Sequence, residues 1–395
     1  MHPLMQALQQ ALAQHHQALV ALRRDLHQHA ELSFKETRTA DVIAERLRAA
    51  GLDVRTGIAG TGVVGVLHGD RPGRVVAYRA DTDALPLDEV VDVPFRSVNG
   101  GAMHACGHDG HVAIAVTMAE LLAERRRELP GTVVFLFQPA EEVFGGAEGM
   151  IAAGVLENPK VESVLGLHLI NQFPVGAVVA RPGATMASAD FFDIEVVGKG
   201  GHGAFPHTSI DPITVAAHIV VGLQDLVSRE IAAQDAAVMT IGQISAGTKH
   251  NIIPEVAHMG GSIRAFTPAI RDQLVERLSA FASCIAQAYR AEATVRTHGD
   301  GTPPVVNDVD VTERVRRGAI ELFGKAAVLD GMPIMGSDDM SLFLKERPGC
   351  YFWVGAGVPG KEMNPHHHPG FEIDERSLDV GLRLALNSVL DALQP

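Results

Sequence analysis

Val133-Val134-Phe135-Leu136-Phe137-Gln138-Pro139-Ala140-Glu141-Glu142 is the stretch from which the fold can be read. Its opening apolar run does not alternate, which describes a strand covered on both faces. Pro139 cannot continue the pairing, and two adjacent acids follow at once. Runs of the same kind recur at Val63–Leu67, Val75–Tyr78, Val164–Leu167 and Tyr351–Val354. Longer alanine- and leucine-rich stretches between them, notably Val112–Leu129, read as helices. Buried strands alternating with helices predict an α/β fold with helices on both faces of the sheet.

Upstream, Leu4, Leu8, Leu12, Leu19, Leu22 and Leu26 fall at helical spacing. Ser33-Phe34-Lys35-Glu36 reads as a capping box that opens a helix running to about Ala50, with Gly51 as its stop. Downstream the pattern changes. Phe191–Val197 alternates, a helix follows Asp211-Pro212, and Val238–Ile244 and Ala257–Phe266 read as strands. A helix at Ile270–Tyr289 and a strand at Ala293–Thr297 complete a βαββαβ, ferredoxin-like order. The α/β pattern resumes beyond it. Residues 187–298 are therefore expected to form a domain inserted into one built from 1–186 and 299–395.

At 395 residues the chain is long enough for two domains, and 46% hydrophobic content predicts packed cores. A formal charge of −14 argues against nucleic acid and anionic membranes as partners. Cys106, Cys284 and Cys350 are too few for a disulfide framework and fit a reducing compartment. Neither a signal peptide nor an apolar run near the roughly 20 residues of a membrane span is read. The expected location is the cytoplasm.

Met103-His104-Ala105-Cys106-Gly107-His108-Asp109-Gly110-His111 concentrates histidines, a thiol and an acid as a transition-metal site requires. Other donors follow strands: Asp81 and Asp83 after Val75–Tyr78, Glu141 and Glu142 after Val133–Phe137, and His168 at the end of Val164–Leu167. In an open α/β sheet ligands bind beyond the carboxyl ends of the strands, so separate segments bring donors to one edge. Cys106 and His108 read as metal ligands, Asp81 as a group that orients a ligating histidine, and Asp83 as a turn residue. His104 and His111 read as supporting or structural. Of Glu141 and Glu142, one can bind metal while the other faces a bound water. His366-His367-His368 leaves its ligand open.

Taken together these motifs resemble the M20 metallopeptidase clan, in its amidohydrolase branch of hippurate, N-acyl-amino-acid and auxin-conjugate hydrolases. The resemblance runs through Leu22-Arg23-Arg24-Asp25-Leu26-His27, Arg79-Ala80-Asp81-Thr82-Asp83-Ala84-Leu85-Pro86, His104-Ala105-Cys106-Gly107-His108-Asp109 and Gln138-Pro139-Ala140-Glu141-Glu142. It continues in Gly200-Gly201-His202-Gly203-Ala204-Phe205-Pro206-His207, Asn251-Ile252-Ile253-Pro254 and His367-His368-Pro369-Gly370-Phe371.

The resemblance implies a zinc-peptidase-like catalytic domain with a mixed central sheet, and an inserted lid or dimerisation domain. It implies two divalent transition-metal ions, Mn²⁺ or Zn²⁺ foremost and Co²⁺ or Ni²⁺ as alternatives. Cys106 would bridge them, with His108, Glu142, His168 and His367 as the other ligands. Glu141 would be the base that activates a bridging metal hydroxide. Asp81 would support the catalytic site, and His202 would polarise the substrate carbonyl, in relatives often across a dimer interface. Asn251 and Arg264 would hold a substrate carboxylate. The implied substrate is an N-acyl-L-amino acid or a dipeptide, and the implied assembly a homodimer or larger. Ala30 and Asp338 depart from the family pattern, where proline and glutamate are usual.

Within the same chemistry the alternatives are a dipeptidase or carboxypeptidase and an N-acetyl-diaminopimelate-type deacetylase. Gly198-Lys199-Gly200-Gly201-His202-Gly203 formally matches a dinucleotide fingerprint, which would make an NAD-dependent oxidoreductase. Pro206 and Pro212 stand where that motif needs a helix. A non-catalytic binding protein that keeps the fold is the remaining rival, and Glu141 argues against it. No Walker A sequence or G-x-S-x-G elbow is present.

Overall fold

The computed structural model describes residues 3–299 and 301–394. Met1, His2, Asp300 and Pro395, which fall within the spans read from the sequence, lie outside the described residues. The chain divides into two compact units.

The first unit comprises Met1–Gly183, Val306–Met332 and Asp339–Pro395. Its centre is a seven-stranded sheet in the order Asp53–Ile58, Gly62–His68, Pro130–Gln138, Arg71–Asp81, Ser163–Pro174, Gly349–Gly357, Val178–Val179. The four strands from Pro130–Gln138 to Gly349–Gly357 run parallel, and antiparallel strands close both edges, so the sheet is mixed. Residues 133–137 and 164–170 are buried, as unalternating apolar runs demand. Helices Pro3–Gln28, His108–Ala123, Val309–Phe323 and Arg376–Ala392 flank the sheet. Leu4, Leu8, Leu12, Leu19, Leu22 and Leu26 are all buried in the core, each worth about 1.5–3 kcal/mol of apolar transfer.

Three local expectations change. The helix placed at Val112–Leu129 runs from His108 to Ala123. The capping box does not form. Ser33 Oγ donates to Asp83 (2.7 Å), while Glu36 accepts from Thr61 Oγ1 (2.6 Å) and the Ala140 amide (2.9 Å). The helix starts at Thr37 with no cap bond from Glu36, because tertiary partners claim both predicted capping groups; Glu31 accepts from the Arg38 (3.1 Å) and Thr39 (2.8 Å) amides instead. His168 does not end its strand but lies within Ser163–Pro174.

The second unit comprises Ala184–Val305 and Pro333–Asp338, cut slightly outside 187–298. Residues 333–338 join it through backbone bonds, with the Ala187 amide donating to Ile334 O (3.1 Å) and Gly336 O (2.8 Å). Its antiparallel sheet has the order Ala237–Ala246, Val256–Ala265, Asp190–Val197, Glu292–Thr297. Asp190–Val197 alternates buried and more exposed positions, as a sheet covered on one face requires. Helices Pro212–Glu230 and Pro268–Ala288 pack into its core through Val215, Ile219, Leu223, Leu274 and Leu278.

Candidate metal centre

Sheet register sets the site. Arg79 pairs with Gly166, so two residues on, Asp81 and His168 stand level on neighbouring strands. Asp81 also pairs with Gln138, the last residue of the strand before Glu141 and Glu142. Parallel pairing thereby brings three distant segments to one edge, and the helix that starts at His108 adds a fourth.

Gly107 sits at φ 86°, a left-handed conformation that costs glycine little, and turns the chain into that helix. His108 Nδ1 donates to Asp83 O (2.9 Å), which leaves Nε2 as the nitrogen open to an ion. That Nε2 is buried without a hydrogen-bond partner among the described residues. A buried polar atom left unsatisfied costs about 1–3 kcal/mol, a cost that ligation removes. His168 Nδ1 donates to Leu169 O (3.0 Å), and its Nε2 lies 3.4 Å from Cys106 Sγ. Cys106, His108 and His168 each bring a ligand atom within 4.8 Å of the others, and so do Cys106, Glu142 and His367. The sulfur belongs to both groups. The donor set thus fits a pair of ions that share one ligand.

Electrostatics divide the donors. Burial pushes the Cys106 thiol up and the His168 imidazole down. His367 is carried up to about 10 by Cys106 and Glu142. Burial works against charge on His108, but Asp81, Cys106 and Asp83 outweigh it and hold the ring well above its usual range. Positive charge is thus favoured at His108 and His367 and opposed at His168.

The Glu141-Glu142 turn is built by Asp83. Its Oδ1 accepts from the Glu141 amide (3.1 Å) and its Oδ2 from the Glu142 amide (3.0 Å). Ala140 and Phe144 flank the pair at φ 53° and 52°, conformations that cost of order 1–3 kcal/mol each. Gly146 is required just beyond, since a Cβ there would lie 1.6 Å from Pro139 O. Asp83 is therefore more than the turn residue read from the sequence. Burial opposes its charge, yet His108, Ser33 and the Glu142 amide hold its carboxyl below the usual range.

Asp81 does not take the expected part. Its Oδ1 pairs with His111 Nδ1 (2.6 Å) and its Oδ2 with Arg79 (2.6 Å), whereas His108 Nε2 is 3.8 Å away. His111 Nε2 accepts from the Leu169 amide (2.9 Å), so both its nitrogens are engaged and it supports rather than ligates. His104 is buried with neither nitrogen bonded among the described residues, and burial lowers it to about 4.

Of the three adjacent histidines, His368 is engaged, its Nδ1 accepting from the Gly370 amide (2.9 Å). His366 Nδ1 lies 3.5 Å from Cys106 Sγ, and burial drives that ring down to about 3. His367 Nε2 lies 3.3 Å from Glu142 Oε1.

His202, Asn251 and Arg264 belong to the second unit. His202 pairs with Ile252 across two short strands, and the Gly203 amide donates to Asn251 O (2.9 Å), so these two residues are close. Arg264 donates from Nη1 to Met335 O (3.0 Å) and Ser337 Oγ (3.2 Å).

Sequence reasoning gave no role to the buried groups behind the donor loop. Asp109 Oδ2 binds His27 Nδ1 (2.7 Å) and Arg23 Nε (2.8 Å), and His27 Nε2 reaches Glu89 (3.1 Å). The signal was the Arg23 to His27 spacing of one helical turn.

Comparison with known proteins matches this geometry. The profile of peptidase family M20/M25/M40 matches residues 77–391. The N-acetylcysteine deacetylase of Bacillus subtilis is 40% identical over 92% of this chain and 94% of its own. The IAA-amino acid hydrolase ILR1-like 2 of Arabidopsis thaliana is 37% identical over 95% of this chain and 85% of its own. The Bacillus subtilis YXEP protein, described as a dinuclear metal binding peptidase, superposes with a TM-score of 0.84 at 35% identity, covering 98% of this chain and 99% of its own. The chain belongs to peptidase family M20/M25/M40, in its amidohydrolase branch, and is a hydrolase of amide bonds.

Proposed function

We propose that this enzyme cleaves the amide bond of N-acyl-L-amino acids, with two divalent ions held by Cys106, His108, Glu142, His168 and His367. The observation that carries the reading is that Cys106 belongs to two donor groups at once, one with His108 and His168 and one with Glu142 and His367. A thiolate shared with imidazoles suits Mn²⁺, Zn²⁺, Co²⁺ or Ni²⁺ better than Mg²⁺ or Ca²⁺. When bound, such ions lower the pKa of a coordinated water to about 7 and polarise a carbonyl.

Glu141 is the proposed base. It is buried beside Glu142, and Asp83 fixes the backbone of both. Its carboxylate takes a proton from the attacking water and returns it to the departing nitrogen. Glu141, Glu142 and His108 bring ligand atoms within 4.8 Å of one another, so Glu142 can bind while Glu141 handles the proton beside it. Asp83 orients His108, and Asp81 holds His111. For His202 as carbonyl polariser, and for Asn251 and Arg264 as carboxylate contacts, the reading rests on sequence resemblance. The named activities of the deacetylase and the auxin-conjugate hydrolase support an N-acyl amino acid as substrate. The proposed location is the cytoplasm; no described helix is long and apolar enough to cross a membrane. The proposed assembly is a homodimer or larger, which sedimentation tests.

The deciding experiment offers metal-loaded enzyme hippurate, N-acetyl amino acids and dipeptides, and measures the released amino acid. Hydrolysis of the acylated compounds is expected, with Glu141→Gln retaining its ions and losing turnover by roughly 10²–10⁴-fold. Cleavage of dipeptides alone would overturn the substrate class, and full turnover in Glu141→Gln would overturn the base.

A further inference from the structure

We infer that Asn171 is a positioning residue that sets how tightly the enzyme holds the ion taking His367. The inference rests on the ligand set proposed above and adds a residue outside it. Asn171 lies three residues beyond His168 on the strand Ser163–Pro174 and is 1% exposed. Its Nδ2 donates to Asn364 O (2.8 Å) and to Glu372 O (3.0 Å). Those carbonyls stand at the two ends of the loop that carries His366, His367 and His368. Both acceptors are carbonyl oxygens, so the nitrogen of the carboxamide must face them. One side chain therefore clamps both ends of the loop.

The rest of the loop depends on that clamp. Asn364 Nδ2 donates to Gly370 O (2.8 Å), tying one end across to the other. In the middle, the His367 amide donates to Ala105 O (2.9 Å), next to Cys106. His367 itself sits at φ 64°, a left-handed conformation that a non-glycine residue holds only under constraint. Its side chain is 54% exposed, so packing alone does not fix it. Backbone anchoring does, and Asn171 anchors from a strand whose position is set by pairing with Gly349–Gly357. The same strand carries His168. Asn171 thereby keys the loop ligand to the strand ligand.

Asn171 Oδ1 has no hydrogen-bond partner among the described residues. An apolar side chain of similar size would avoid burying that oxygen, so packing does not account for asparagine. The two donated hydrogen bonds do.

The test titrates Mn²⁺ onto metal-free wild-type enzyme and onto Asn171→Leu, reading stoichiometry and affinity with a chelating indicator, and follows amide exchange at His367. Wild type is expected to take two ions. Asn171→Leu is expected to keep the first ion's affinity, lose about 10–100-fold at the second, and exchange its His367 amide faster. A purely structural role would lower the melting temperature and leave the two affinities in step. Asn171→Ser, which is smaller and cannot reach both carbonyls, carries the same expectation if the leucine variant does not fold. A folded variant that binds both ions as wild type does overturns the assignment of Asn171. A wild type that takes fewer than two ions overturns the ligand set, and this inference falls with it.

Discussion

The two histidine-bearing loops of the metal centre are held in different ways. Around Cys106 to His111 almost every polar group is buried and bonded to another element. His108 is tied to Asp83, His111 to Asp81 and Leu169, and Asp109 to His27 and Arg23. Around His366 to His368 the loop is partly open, His367 is 54% exposed, and the anchors are mainly backbone carbonyls. Preorganisation explains the difference. The first loop is tied into the fold by side-chain hydrogen bonds from several elements. The second has little packing to hold it and relies on a few hydrogen bonds.

Removing the shared donor breaks the comparison most completely. Cys106→Ser is expected to weaken both ions by more than the roughly 10–100-fold that loss of an outer partner costs, measured by metal content after dialysis. Metal content equal to wild type would mean that the sulfur joins neither group. Next in size, Asp109→Ala strips a fully buried carboxylate from Arg23 and His27. It is expected to cost about 1–3 kcal/mol in chemical unfolding, because Arg23 keeps only Glu375 (3.4 Å) and His27 only Glu89 (3.1 Å) as carboxylate partners. An unchanged midpoint would show that the first loop is not part of the fold's stability.

His367→Ala sharpens the contrast from the other side. Its exposed side chain adds little packing, so stability of the metal-free enzyme is expected to fall by no more than the screened pairing with Glu142 contributes, about 1 kcal/mol, while one ion is lost. A large loss of stability would place both loops in one class. The smallest effect concerns His27. Burial and Arg23 push its ring down, yet Asp109 and Glu89 carry it above the usual histidine value. The folded state then holds a proton that the unfolded state releases near its pKa of about 6.5. The resulting stability is complete below that pH and is lost as pH rises through the folded value. His27→Gln is expected to flatten the stability–pH curve above about 6.5, measured by urea unfolding at stepped pH. An unaltered slope would assign the proton elsewhere.

Much of this was legible before any coordinates. The unalternating runs at Val133–Phe137 and Val164–Leu167 locate central strands because burial on both faces leaves no polar positions. Leucine spacing in the first helix shows directly which stripe is buried. Local signals failed where tertiary partners outbid them. Ser33 and Glu36 have the form of a capping box, but Asp83, Thr61 and Ala140 lie closer to hand. Asp83 looks like an ordinary turn acid until its carboxylate is seen to gather two amides and a hydroxyl.

The sequence by itself determined the donor inventory, the strand and helix succession, and the family, because residue types and their short-range spacing are written along the chain. Only the tertiary structure decided which nitrogen of His108 is presented, that His111 is spent on Asp81 and Leu169, and that Asn171 holds both ends of the last loop. Those outcomes depend on strand register and on hydrogen-bond competition between segments as far apart as Asn171 and Glu372, and no local pattern encodes them.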